Sequence, residues 1–239
     1  MSQTNFAYLS NYAIYSAMVF FTIAFFAHAV EVSFSVRNID TKTKFDFSRT
    51  EKSGRIGSAM IILGFIFLVA GVILRGASAH RVPWGNMYEF SITGAMAFTG
   101  AYLVALKKYK LRWLGLPVSI GVLLTLGTAV TLLYRPSAPL VPALKSTWLI
   151  IHVSAAIISG GVFLLANVIA AVYLYLERVE SKGERNIYLS KLPYQIVSKG
   201  EFLILATGII FLLHSIFSVL HDSAHRKGVL IQEKIEVST

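Results

Sequence analysis

The chain has 239 residues, 55% of them hydrophobic and 14% charged, and its mean hydropathy is +0.65. These values exclude a soluble domain of ordinary composition, in which charged residues make up about 25% of the chain. Cysteine is absent, which excludes disulfides, thiolate metal sites and redox thiol pairs within this sequence.

Six apolar runs are long enough to cross a bilayer, since about 20 helical residues span a hydrocarbon core of ~30 Å. They do not alternate between apolar and polar residues as the strands of a membrane barrel do. The sequence therefore predicts an all-α polytopic membrane helix bundle, with residues 1–239 forming a single membrane domain. The predicted spans are residues 8–36, 56–74, 87–106, 113–134, 146–176 and 201–220, and a polar tail follows at 221–239.

The formal net charge of +10 is distributed unevenly among the loops between these spans. Of the 22 lysines and arginines, 15 lie in the three loops after the first, third and fifth spans. The positive-inside rule assigns those loops to the cytoplasm and both termini to the non-cytoplasmic side. Topology and contact with anionic lipids therefore explain the basic charge, and a nucleic-acid partner is not predicted.

His28 and Glu31 are two polar residues near the C-terminal end of the first span. A spacing of three residues places both side chains on one face of a helix, within hydrogen-bonding reach of each other. We interpret them as a mutually satisfied pair at the membrane interface.

The segment 80–90, between the second and third spans, is polar and aromatic. Pro83 and Gly85 interrupt any helix there, and Trp84 and Tyr88 carry amphipathic rings of the kind that collect where hydrocarbon meets water. The segment therefore predicts a site at a membrane surface. Glu89 follows at the start of the third span, where the helix dipole and free amide groups favour a carboxylate.

Three arginines lie in loops on the same side of the membrane as this segment. Guanidinium groups bind carboxylates and phosphates through a two-pronged fork. We expect contact with lipid phosphates as the default, and pairing with the carboxylates of a bound ligand as the alternative. The three are Arg75, Arg81 and Arg135.

His152 lies a few residues inside the fifth span, on the same side as Trp84. One interpretation is a helix-end histidine hydrogen-bonded to a neighbour, and the other is a ligand to a metal or haem iron at the surface site. The small residues at 154–161 permit the close approach either of another helix or of a flat ligand.

His214 lies in the sixth predicted span, and His221 and His225 follow it. Their spacings of seven and four residues place them along one stripe of a continuous helix. Such a stripe could relay a ligand or a metal, although histidine is also ordinary in a polar tail.

Three segments of the chain resemble the CcsA/ResC-type cytochrome c biogenesis proteins, called CcsB in actinobacteria. The resemblance extends over roughly residues 55–220, in the order and spacing of the segments. The segments are RVPWGNMYEF at 81–90, LVPAL at 140–144 and WLIIHVSAA at 148–156.

The resemblance implies System II cytochrome c biogenesis in the plasma (inner) membrane of a bacterium. The implied function is to carry haem b to the outer face and present it for covalent attachment, at most as the membrane subunit of a cytochrome c synthase. The implied partners are a ResB/Ccs1-type membrane subunit, an apocytochrome c with a Cys-x-x-Cys-His segment, a thiol reductant protein and the lipid bilayer.

The same resemblance assigns roles to individual residues. His152 matches the first of two outer histidines that hold the haem iron in the family, and is therefore the expected metal ligand. The other residues expected to shape or orient the porphyrin site are Trp84, Tyr88, Arg81 and Arg135.

The family's tryptophan-rich haem-presenting segment, of the form Trp-Gly-x-Tyr-Trp-x-Trp-Asp, has no match after the sixth span. Three interpretations stay open: a truncated gene product, a second polypeptide that supplies the missing part, or replacement of the second ligand by His214 or His221. The alternatives outside this function are a small transporter or channel subunit, which needs ionisable residues near mid-membrane, and a nonfunctional remnant.

Overall fold

A computed structural model describes residues 3–41, 44–109, 111–136 and 147–181. This part of the chain is helical, without strands, and an all-α polytopic membrane bundle is confirmed. A 3₁₀ turn, Arg112–Leu114, precedes the fourth helix. The helices are α1 (Gln3–Thr41), α2 (Lys44–Ala79), α3 (Met87–Tyr109), α4 (Gly115–Thr131) and α5 (Thr147–Ser181).

All five helices are long and apolar enough to cross a membrane. Their membrane-crossing parts overlap the first five spans predicted from the sequence; the sixth, at 201–220, and the tail at 221–239 lie outside the described residues. Successive spans alternate in direction, so the α2–α3 and α4–α5 connections share one end of the bundle, here called the Trp84 end. The α3–α4 turn lies at the other end, here called the Arg112 end.

α1 and α2 form an antiparallel hairpin in which large side chains of α1 lie against glycines of α2. Both sets repeat every seven residues, the period that keeps side chains on one face of two closely packed helices. A methyl group added at Gly71 would lie 2.6 Å from Cδ1 of Ile14, so only glycine fits there without rearrangement. The pairs are Ile14 with Gly71, Phe21 with Gly64 and His28 with Gly57.

α5 packs mainly on α3, and the two helices run in the same direction. Gly161 makes this contact possible, because a methyl group there would lie 2.8 Å from the backbone of Ala97 and Phe98. The neighbouring Gly160 has nothing within 4 Å of the same position. The fold thus fixes the depth of α5 against α3 while leaving one face of α5 uncovered by the described residues.

Candidate functional site

The Trp84 loop, residues 80–86, begins with a tight helix ending. His80 has a φ of 49°, a left-handed conformation in which glycine is the usual residue at this position. The Arg81 amide then donates a hydrogen bond of 3.2 Å to the carbonyl of Gly76, which satisfies the end of α2. The chain is thereby turned back over the bundle before Pro83 and Trp84.

α3 begins with a capping arrangement that fixes the other end of the loop. The side chain of Asn86 accepts a hydrogen bond of 2.9 Å from the amide of Glu89, and Oε2 of Glu89 accepts one of 2.9 Å from the amide of Gly85. Reciprocal bonds of this kind satisfy amide groups that the helix leaves free. The Asn-x-x-Glu spacing at 86–89 is a sequence signal for this cap.

Glu89 is completely buried and binds two arginines. Oε1 lies 3.1 Å from Nε of Arg75, while Arg81 binds both carboxylate oxygens, at 2.6 Å through Nη1 and 3.2 Å through Nη2. The carboxylate therefore ties the end of α2 and the loop to the start of α3. Glu89 is the only acidic residue between positions 52 and 176 of the sequence. Because no other carboxylate lies in that stretch, the sequence indicates that nearby arginines would share this one.

Arg75 forms the floor of the site, and its side chain is 0% exposed. Besides Glu89 it binds the backbone carbonyl of Arg135, and its guanidinium carbon lies 5.0 Å from the centre of the Tyr88 ring. That distance is typical of a cation–π contact. Because Arg75 is sealed inside the bundle, the expectation that it contacts lipid phosphates is wrong.

Tyr88 lies beneath the loop, 1% exposed, and its ring contacts Tyr134 edge-on at 5.2 Å. The hydroxyl of Tyr134 in turn accepts a hydrogen bond of 3.0 Å from the side-chain amide of Asn11. The residues after α4 are thereby connected to α1. Sequence reasoning missed this contact, since the two residues are 123 positions apart.

The predicted cofactor-binding residues fall into different environments. Trp84 and His152 are partly buried, Arg135 is exposed, and Arg81 has a side chain only 11% exposed that is committed to Glu89. Tyr88 supports the loop from inside. A direct role in cofactor binding stays a prediction for each of them, and His214 lies outside the described residues.

His152 lies level with the base of the Trp84 loop. Gly161 contacts Ala97 and Phe98, and α3 and α5 run in parallel. His152 lies nine residues before Gly161 on α5, and Tyr88 lies nine residues before Ala97 on α3. Both intervals correspond to a helical rise of about 13 Å towards the Trp84 end. The fold thus brings His152 and the Trp84 loop to the same end of the bundle.

The small residues that follow His152 divide between two functions. Gly161 serves close helix packing, as described for the α3 contact. Ala156 and Gly160 follow His152 at intervals of four residues and continue its face of the helix. Because nothing lies within 4 Å of a methyl group built at Gly160, this face leaves room for a flat ligand or another helix among the described residues.

The fold and the Trp84 loop define a multi-pass membrane protein with a structured polar site at one end of its bundle. The chain belongs to the cytochrome c assembly protein family, whose profile matches residues 84–218, more than half of the chain. This region begins at Trp84 and includes α3, α4 and α5. The expected family is confirmed, and the transporter alternative is not favoured.

Curated relatives are described as cytochrome c biogenesis protein CcsA. The protein of Picosynechococcus sp. is 32% identical over 136 residues, which cover 54% of this chain and 39% of the relative. That of Marchantia polymorpha is 29% identical over 131 residues, covering 54% and 41% respectively. The matched part thus spans about two fifths of these relatives' length. No solved structure matches the chain.

Proposed function

We propose that the chain handles haem during cytochrome c assembly, with His152 as an axial ligand to the haem iron. The observation that carries this proposal is the position of His152, level with the base of the Trp84 loop and above an open face of small residues. A porphyrin is flat and would need an open face of this kind; among the described residues, nothing lies within 4 Å of a methyl group built at Gly160. When bound, haem b supplies the iron for the imidazole and the vinyl groups for thioether bonds to an apocytochrome.

The residues of the chain would bind and orient this cargo. Arg135 is exposed beside the buried Arg75–Glu89 pair, so its guanidinium suits a propionate, whereas Arg81 would act chiefly by holding the loop. Trp84 would cover one edge of the ring. Thioether formation needs thiols, which this cysteine-free chain does not contain, so they come from the apocytochrome.

We propose further that the Trp84 end faces away from the cytoplasm of a bacterial plasma membrane. Supporting this orientation, the Arg112 end carries most of the basic residues of the described part, as the positive-inside rule requires of a cytoplasmic face. A ResB-type membrane subunit and a thiol reductant protein are the partners that a System II pathway would supply at the Trp84 end.

The first test is the optical spectrum of the detergent-purified chain, prepared with haem available. We expect haem bands in the native protein and their loss in His152→Ala. The matched control is His80→Ala, which removes an exposed histidine from the same end of the bundle and should leave the bands unchanged. A further loss in His214→Ala would identify a second ligand outside the described residues.

Two outcomes would count against the proposal. A native chain without stoichiometric haem would show that these residues alone are not a haem-presenting unit, and the remnant or two-polypeptide interpretation would replace it. Equal spectra for the native protein and His152→Ala would mean that another residue ligates the iron.

A further inference from the structure

A second buried polar cluster lies at the Arg112 end, far from the proposed haem site. His28 is 1% exposed, and its Nδ1 lies 2.8 Å from Oε2 of Glu31, which confirms the predicted pair. The other carboxylate oxygen of Glu31 accepts a hydrogen bond of 2.8 Å from Nε of Arg112, in the 3₁₀ turn between α3 and α4. The cluster thus connects α1 to a turn 81 residues further along the chain.

The hydrogen bonds determine which ring nitrogen of His28 carries its proton. Because the carboxylate of Glu31 is paired with Arg112 and can only accept, Nδ1 of His28 donates to it. Nε2 is therefore an acceptor, and it is buried with no hydrogen-bond partner in the part of the chain that the structure describes. The hydroxyl of Tyr102 on α3 is also buried, and it has no hydrogen-bond partner among the described residues.

Two glycines enclose the ring of His28. A methyl group added at Gly57 on α2 would lie 2.6 Å from Nε2, and one added at Gly115 would contact the ring more closely still. Gly115 is the first residue of α4, so the start of that helix lies against the imidazole ring. Among the described residues, the site is closed in this conformation.

The charged and titratable groups around His28 come from several helices. α2 contributes glycine backbone to the site, and its charged side chains at this end, Glu51, Lys52 and Arg55, are exposed. Lys107 and Lys108 of α3 are exposed as well. Among the described residues, the charged groups that hydrogen-bond within the cluster are Glu31 from α1 and Arg112 from the turn.

With Glu31 ionised, Arg112 charged and His28 neutral, the cluster has no net charge. An added proton would bind Nε2 of His28, whose lone pair has no partner among the described residues, and would leave a net charge of +1 in a buried site. Such a charge is costly unless water reaches it. Arg112 is the member best placed to leave, because its side chain is already 37% exposed while those of His28 and Glu31 are 1% and 10% exposed.

We propose that His28, Glu31 and Arg112 form a proton-binding site, and that its occupancy controls whether the α3–α4 turn stays docked on α1. The proton comes from the aqueous phase at the Arg112 end and binds Nε2 of His28. The imidazolium then takes over the carboxylate of Glu31, and Arg112 moves into water with the turn. Proton binding and undocking are thereby linked, so each favours the other.

Leu111 provides a reporter for this undocking. It is 2% exposed beside Arg112, and in the cysteine-free chain Leu111→Cys would be the sole thiol. We would measure its labelling by a water-soluble maleimide between about pH 8 and pH 5, the range in which histidine commonly titrates. Leu132→Cys, at a position that is 78% exposed, gives the intrinsic pH dependence of the reagent.

We expect the ratio of the Leu111→Cys rate to the Leu132→Cys rate to rise severalfold as the pH falls. Adding His28→Gln should make this ratio low and independent of pH, because glutamine can donate to Glu31 but cannot bind the proton. Adding Arg112→Gln should make it high at every pH, which would establish that Leu111 reports on the turn. His80→Gln, at the other end of the bundle, serves as the control and should change nothing.

Three results would overturn the proposal. A ratio in the native background that does not change with pH would show that no linked proton exists. A pH dependence that survives His28→Gln would place the proton elsewhere. A ratio that is high at all pH values in His28→Gln would reduce the cluster to a structural contact. Each result is independent of haem binding.

Discussion

Replacing Gly161 by alanine should separate α5 from α3. The added methyl group would lie 2.8 Å from the backbone carbonyl carbon of Ala97 and the amide nitrogen of Phe98. Carbon atoms pack best at about 3.5–4.0 Å, so the helices would have to move apart by roughly 1 Å. Backbone atoms cannot avoid the contact by changing rotamer, and overpacking of this kind costs about 1–3 kcal/mol.

Gly160 provides a control on the same helix turn, since a methyl group there has nothing within 4 Å. Alanine favours a helix over glycine by up to about 1 kcal/mol, and this gain applies to Gly160→Ala and Gly161→Ala alike. The difference between the two variants therefore isolates the overpacking, and we expect Gly161→Ala to be the less stable by about 1–3 kcal/mol.

The assay is reversible unfolding of each purified variant in mixed detergent micelles, followed by circular dichroism. Equal free energies of unfolding for Gly160→Ala and Gly161→Ala would refute the reasoning, because they would mean that α5 does not lie against the backbone of α3 at this residue. The depth assigned to His152 would then lose its basis.

Three further substitutions test the Trp84 end by the same unfolding measurement. Glu89→Gln leaves Arg75 buried without its carboxylate and should lower the free energy of unfolding by about 3–5 kcal/mol. The control Glu51→Gln, in an exposed pair, should lower it by at most about 1 kcal/mol. Similar losses of stability for both variants would contradict the buried pair. Asn86→Ala should cost about 1 kcal/mol through loss of the α3 cap, and an unchanged stability would argue against that cap. His80→Gly relieves a left-handed conformation and should leave the stability unchanged or raise it by up to about 1 kcal/mol; a clear loss would mean that the imidazole has a role of its own.

The bundle itself could be predicted from the sequence because hydrocarbon imposes a length and a composition on each span. The ends of the helices could not be predicted in this way, because hydropathy does not detect polar helical turns that continue beyond the apolar run into water. α2 begins at Lys44, well before the apolar run that starts near Ile56, because its first turns are charged but still hydrogen-bonded as a helix. Local spacing likewise sufficed for His28 and Glu31, which share one face of a single helix.

Contacts between distant segments lay beyond sequence reasoning. Arg112 is 81 residues from Glu31, and no local pattern connects a basic loop residue to a particular carboxylate. The sequence indicates an amphipathic ring near the membrane surface at Tyr88, but it does not indicate the contact with Arg75, whose guanidinium carbon lies 5.0 Å from the centre of that ring. In both pairs, Arg112 with Glu31 and Arg75 with Tyr88, the three-dimensional packing determines which residue the charged side chain contacts.

The seven-residue spacing of the α1 side chains and the α2 glycines restricts how these two helices can align. Sliding either helix by one turn would force Ile14 and Phe21 against side chains instead of glycines, so the glycines of α2 oppose a one-turn slip of the hairpin. It precedes the family-matched region, which begins at Trp84. Two residues of α1 thus lie against the two ends of the α4 region: Asn11 donates to Tyr134, just after α4, and His28 lies against Gly115, its first residue. The α1–α2 hairpin therefore supports α4 at both ends.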